Sequence, residues 1–230
     1  MIPPPVISPA TPDSPAKSYV SRAGNKLHHA LHTFQLDPAN LVCADLGCNA
    51  GGFTDCLLRH GAAKVFAVDT GYGMLDYSLR RNQQVVVMER TNALHVTLPE
   101  PVDLVVIDVA WTRQKLILPS ARKLLRPSGQ VITLIKPHYE APKELLRNGV
   151  LPDEHQQLIL TQTLADARSA GFHVIGTTLS PILGSKGNLA GKGNTEYLTL
   201  LALSTGTPAT PGPVLSESPP TPPSKTPPPE

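Results

Sequence analysis

The chain has 230 residues, 40% of them hydrophobic, and a formal net charge of +2. That is enough apolar material for one core, and too little charge bias to demand a polyanionic partner. It excludes helices that span a bilayer, because no apolar run nears the roughly 18 residues a span needs.

Proline divides the chain. Six of the 25 prolines lie in Met1–Ala16 and ten in Gly206–Glu230. Such segments cannot bury enough surface to fold, so both ends are expected as disordered tails (1–16 and 206–230) around one folded domain, 17–205. Without the tails, the charge is mildly basic, which permits a nucleic-acid partner. Cys43, Cys48 and Cys56 are odd in number and lack a CxxC pair, the pattern of reduced thiols in the cytoplasm. The start, Met-Ile-Pro-Pro-Pro, has no basic n-region or apolar h-region and does not read as a secretory signal.

In chain order, β-type runs alternate with helical periodicity. Leu27, Ala30, Leu31 and Phe34 predict a helix over Asn25–Phe34. Leu41–Leu46 reads as the first strand, Gly52–His60 as a helix stopped by Gly61, and Val65–Asp69 as the second strand. A helix near Met74–Arg81 and a strand at Val85–Glu89 follow. Asp103–Asp108 is the fourth strand, Gln114–Leu125 a helix, Arg126–Gly129 a turn, and Gln130–Lys136 the fifth strand. Pro137 forces Lys136 into extended conformation at that strand's end. Glu154–Ala170 is a long helix, and Phe172–Ser180 and Glu196–Leu203 are the last two strands. The expected fold is α/β and Rossmann-like: a mostly parallel seven-stranded sheet with helices on both faces.

Ligands of open α/β sheets bind at the carboxyl ends of the strands. The segment Asp45-Leu46-Gly47-Cys48-Asn49-Ala50-Gly51-Gly52-Phe53-Thr54 joins the first strand to a helix there. Its glycines allow close backbone approach to a ligand, and Asp69, 22 residues after Gly47, suits the two hydroxyls of a ribose. A dinucleotide and S-adenosyl-L-methionine both fit such a loop, and a glycine turn without a ligand is the plain alternative. Asp45 at the strand tip favours the cationic methionine end of S-adenosylmethionine over an anionic pyrophosphate.

Asp108 and Lys136 end neighbouring strands, so their side chains can meet above the sheet. A Lys–Asp pair beside a sulfonium methyl suits methylation of a hydroxyl: the ammonium can lower the hydroxyl's proton affinity or orient its lone pair, and a positioned base can accept the proton. Amine methylation usually shows Asn/Asp-Pro-Pro-aromatic where this chain has Asp108-Val109-Ala110-Trp111. Attack on cytosine carbon five needs a late cysteine, and all three lie before residue 57.

Together, Ser21-Arg22-Ala23-Gly24-Asn25-Lys26-Leu27, DLGCNAGGFTDCLL, VDTGYG at Val68–Gly73, Glu89-Arg90-Thr91-Asn92, LIKPHYE at Leu134–Glu140 and NTEYL at Asn194–Leu198 resemble the TlyA (hemolysin A) group. This is a group of FtsJ-like ribosomal RNA ribose 2′-O-methyltransferases. The resemblance implies an RNA substrate and a catalytic tetrad on Lys26, Asp108, Lys136 and Glu196. It also implies cofactor contacts at Gly47, Asn49, Gly51, Gly52, Phe53, Asp69, Asn92 and Asp108. The chain departs from the group in three places. A proline-rich stub stands where an N-terminal RNA-binding domain usually lies. Ala110-Trp111 replaces a serine and an aromatic. The Gly184–Asn194 loop is long.

Three further signals carry less. His28, His29 and His32 have no acid or thiol beside them in sequence, so no metal is expected. His138, Tyr139 and Glu140 could line a substrate mouth, and Lys186 and Lys192 could touch phosphate. The competing functions are methylation of a small hydroxylated metabolite and a non-catalytic RNA-binding relative. A pore-forming hemolysin has no support in the hydropathy.

Overall fold

The computed structural model describes residues 18–184 and 193–204. The expected tails, and Lys186 and Lys192, lie outside these residues.

Helix α1 (Ala23–Phe34) buries Gly24, Lys26, Leu27, Ala30 and Leu31 along one stripe and ends at Gln35, whose φ is 52°. It leads into β1 (Val42–Leu46), α2 (Gly52–Arg59) and β2 (Lys64–Val68). Next come a short α3 (Tyr77–Arg80), β3 (Val85–Met88), β4 (Val102–Ile107) and α4 (Gln114–Leu124). The chain continues through β5 (Leu125–Ile135), a one-turn α5 (Pro137–Glu140) and a 3₁₀ turn at Lys143–Leu145. It closes with α6 (Asp153–Ser169), β6 (Phe172–Leu179) and β7 (Tyr197–Leu203).

The seven strands form one sheet in the order β3-β2-β1-β4-β5-β7-β6. All pairs are parallel except those of β7, which runs antiparallel to both β5 and β6. The expected α/β architecture is therefore the observed one. Strand order reverses on either side of β1, which opens a crevice between β1 and β4. Strand β4 shows why its run is continuously apolar: both faces are covered. Leu104 and Val106 pack with Leu27, Leu31 and Phe53 of α1 and α2. Val105 and Ile107 pack on the other side with Ile117, Leu118 and Leu160 of α4 and α6.

Three local expectations need correction. The helix at Met74–Arg81 shrinks to Tyr77–Arg80, because the Asp76 carboxylate accepts from Ser78 N and starts the helix late. Arg126–Gly129 is not a free turn but part of β5. Val102 pairs with Leu125 and Leu104 with Gln130, so five residues of β5 advance against two of β4 in a bulge. The turn α5 was not anticipated; Pro137 at its first position has the φ that starts a helix.

Candidate active site

The cofactor loop follows β1. Gly47 has φ +89°, and a Cβ there would lie 2.8 Å from the Asp108 carbonyl oxygen, so the loops after β1 and β4 touch. Gly52 admits no side chain either, because its Cβ would sit 2.3 Å from Ser21 Oγ. Gly51 packs against Leu75 and Leu79. Protein atoms thus occupy the space a Cβ would need at all three glycines; Gly47 lines both of the cavities described below, and Gly51 and Gly52 line neither.

Asp45 is fully buried. Its Oδ2 accepts from Thr54 N at 2.9 Å and from Thr54 Oγ1 at 2.7 Å. Its Oδ1 has no partner among the protein groups. Burial pushes the Asp45 carboxyl up to about 7, with Asp108 and Asp69 adding repulsion. A buried acceptor without a donor, facing a cleft, suits an ammonium group such as that of a methionine moiety. Asp69 follows β2. It accepts from Gly71 N at 2.7 Å and from Asn49 N at 2.9 Å, tying two loops together. Each of its oxygens keeps a second lone pair for a hydroxyl.

Two adjoining cavities open at this edge. The first, about 390 Å³, is lined by Lys26, Asp45, Phe53, Lys136 and Glu196 among others. The second, about 400 Å³, is lined by Asp69, Gly71, Met74 and Asn92 among others. Gly47, Asn49, Asp108, Ala110 and Trp111 belong to both and form the shared wall.

The four residues of the implied tetrad meet at the first cavity as two ion pairs. Lys136 Nζ lies 2.6 Å from Asp108 Oδ1 and also donates to the Val109 carbonyl at 3.2 Å. Lys26 Nζ lies 2.5 Å from Glu196 Oε2, and both residues are buried. Lys26 is carried by α1, Glu196 by the segment entering β7. Asn194, also buried, anchors that segment: its amide accepts from Leu151 N and donates to the Gly149 carbonyl.

Aromatic residues close the mouth. Trp111, 70% exposed, lies with its ring 4.7 Å from that of Tyr139. His138 lines the same cavity; burial, then the charges of Lys136 and Lys26, push its imidazole down to about 4. Glu140 turns away from the cleft and accepts from Gln114 N at 2.8 Å, which braces the loop after β5 against the start of α4. Burial pushes its carboxyl up to about 7. The sequence reading gave no role to Trp111 or Asn194. The chain's single tryptophan, three residues after Asp108, is the signal that could have marked the first; in the structure it holds φ +62°.

Of the three histidines of α1, His28 hydrogen-bonds with Tyr19 and His29 with Thr178. Among the described residues, no cluster of His, Cys, Asp and Glu could hold a metal, and no helix is long and apolar enough to cross a membrane.

Residues 19–190 match the FtsJ-like methyltransferase family. The chain belongs to that family. S-adenosylmethionine is the methyl donor of this FtsJ-like chain. Hemolysin A of Brachyspira hyodysenteriae is 38% identical over 186 residues, which is 78% of this chain and 75% of that protein. The 16S/23S rRNA (cytidine-2′-O)-methyltransferase TlyA of Mycobacterium tuberculosis is 40% identical over 181 residues, 75% of this chain and 66% of its own. A solved structure from Streptococcus thermophilus carrying a hemolysin name superposes with a TM-score of 0.77 at 35% identity, covering 84% of this chain and 70% of its own. The chain spans 63 to 75% of the length of its curated relatives named hemolysin A, YqxC and TlyA.

Proposed function

We propose that this FtsJ-like methyltransferase methylates a ribose 2′-hydroxyl of ribosomal RNA. The observation that carries the reading is the pair of lysine–carboxylate contacts, Lys136–Asp108 and Lys26–Glu196, facing one cavity that shares a wall with the cofactor loop. The named activity of the Mycobacterium tuberculosis relative supports it.

In this reading, Asp69 and Asn92 hold the ribose end of S-adenosylmethionine, and Asp45 and Asp108 face its cationic methionine end. The bound cofactor supplies an electrophilic methyl group on a sulfonium. The acceptor hydroxyl lies in the first cavity. Lys136 Nζ has three donor positions; Asp108 and the Val109 carbonyl occupy two, and the third orients the hydroxyl. Lys136 hands one proton to Asp108 Oδ1 and takes the proton that the hydroxyl releases as the O–CH3 bond forms, so the pair gains the unit of positive charge that the donor's sulfur gives up when its bond to the methyl breaks. The buried Lys26–Glu196 pair fixes the far wall. The neighbouring Trp111 and Tyr139 rings, 4.7 Å apart and tilted by 33°, offer aromatic faces to a nucleobase, which favours RNA over a small hydroxylated metabolite.

The test is transfer of tritiated methyl groups to ribosomal RNA, followed by alkaline hydrolysis. A 2′-O-methylated linkage has no free hydroxyl and resists alkali. Label in alkali-resistant dinucleotides is expected. Label confined to mononucleotides, or to small molecules, would overturn the reading.

A further inference from the structure

The cavity lined by Gly71 and Met74 continues outward onto a surface that the proposed chemistry leaves unused. Tyr72, Met74 and Tyr77 are 69%, 54% and 70% exposed. Exposed aromatics grouped within six residues are unusual for a soluble surface. Each tyrosine carries a guanidinium on one face: Arg90 lies 4.2 Å from the Tyr72 ring centre and Arg81 5.7 Å from that of Tyr77. Arg81 and Arg90 make no ion pair among the described residues. The neighbouring Arg80 is instead paired with Glu89.

The platform is built, not loose. Glu89 accepts from Met74 N as well as pairing with Arg80, and Arg80 Nε donates to the Leu75 carbonyl. Arg90 holds φ 52°, fixed by its N–H donating to the Gly71 carbonyl at 3.0 Å. The Asp76 carboxylate is occupied by Ser78 N and Oγ. Meanwhile Leu75 and Leu79 of the same segment turn inward and are buried. The segment thus hides its aliphatic bulk and presents flat rings and guanidinium planes. A membrane-binding loop would do the reverse. Rings interleaved with arginine suit unpaired bases and phosphates.

We propose that Tyr72, Tyr77, Arg81 and Arg90 form a docking platform for unpaired nucleotides of the RNA substrate, flanking the nucleotide that enters the cleft. This rests on the RNA reading above. The probe is a fluorescent single-stranded oligoribonucleotide, titrated against the full chain by anisotropy at several salt concentrations. The Tyr72→Ala/Tyr77→Ala pair should raise Kd by roughly tenfold or more, as loss of base stacking does. Tyr72→Phe/Tyr77→Phe keeps the rings and should bind like wild type. Arg81→Gln/Arg90→Gln should flatten the salt dependence by roughly 0.7 in slope per lost contact. Cofactor affinity by calorimetry should stay within twofold for all three, which reports an intact fold.

Oligoribonucleotide binding within twofold of wild type in the alanine pair would overturn the platform. So would loss of binding to phosphatidylserine vesicles with RNA binding unmoved. If wild type methylates RNA but the alanine pair binds normally, only the platform falls. If wild type methylates no RNA while the alanine pair loses oligoribonucleotide binding, the platform stands and the methylation reading falls.

Discussion

On the β1–β2 side of the cleft, Asp45 and Asp69 take their hydrogen bonds from backbone N–H groups and one threonine hydroxyl. On the β4–β5–β7 side, Asp108 and Glu196 take theirs from lysine ammonium groups. The first side offers carboxyl groups with no cationic partner among the described residues, which suits a cationic ligand. The second is made of lysine–carboxylate pairs, neutral before reaction, in which the carboxylate can take up a proton. One edge of one sheet thus holds two electrostatic environments, and variants should separate them.

The sharpest separation should come from Lys136. Lys136→Ala should lower single-turnover methyl transfer by about 10² to 10⁴, the range for lost acid–base help, and leave S-adenosylmethionine affinity near wild type. Lys136→Arg should fail as well, since a guanidinium is planar, bulkier and harder to deprotonate. Transfer at the wild-type rate by Lys136→Ala would break the assignment of the second side.

The buried pair should show mainly in stability. Lys26→Met leaves the Glu196 carboxylate buried without its ammonium, which costs about 3 to 5 kcal/mol when such a pair is broken from one side. Glu196→Gln should cost a similar amount, and Lys26→Met/Glu196→Leu should recover much of the loss. Denaturant melts of the three variants check this. Additive losses in the double variant would mean the residues do not act as a pair.

On the cofactor side the effect should be smaller and confined to binding. Asp69→Ala should weaken S-adenosylmethionine by about 1 to 3 kcal/mol, the loss of a charge-assisted bond, as read by calorimetry.

The gentlest probe is pH. Burial raises Asp45 from its ordinary 3.8 to about 7 and Glu140 from 4.5 to about 7. The folded chain therefore holds these protons more tightly than the unfolded chain. Their contribution to stability is fully present below pH of about 4 and is lost as pH rises through 7. Melting temperature of the cofactor-free protein should fall across that window, and Asp45→Asn should flatten the fall. Cofactor affinity should change in the opposite direction, because an ammonium prefers the ionised carboxylate. An affinity independent of pH between 5 and 8 would detach Asp45 from the ligand.

The same comparison explains what was legible in the sequence. The cofactor side is nearly contiguous: Asp45 to Thr54 lie on one strand-turn-helix, and Asp69 ends the next strand. Local pattern was enough to propose it, although the packing of Gly51 on Leu75 and Leu79 and of Gly52 on Ser21 lies outside what a local pattern shows. Asp108 and Lys136 were legible because neighbouring strand ends meet by topology. Lys26 and Glu196 were not. A lysine within the buried stripe of α1 makes physical sense only beside Glu196, 170 residues away, and family resemblance alone named the two. The bulge at Arg126–Gly129 was misread for a related reason, since a bulge exists only against its partner strand.

Strand β7 gives the chain an order in time. It lies between β5 and β6, and β6 pairs with no other strand. A chain growing from its N-terminus can complete the sheet from β3 to β5 and fold the cofactor loop with it. It cannot seat β6, or supply Glu196 to Lys26, until Glu196 and Tyr197–Leu203 have been made. During synthesis the Lys26–Glu196 wall of the cleft is therefore the last to form, and a chain stopped before Glu196 would carry the glycine-rich loop and the Lys136–Asp108 pair without it.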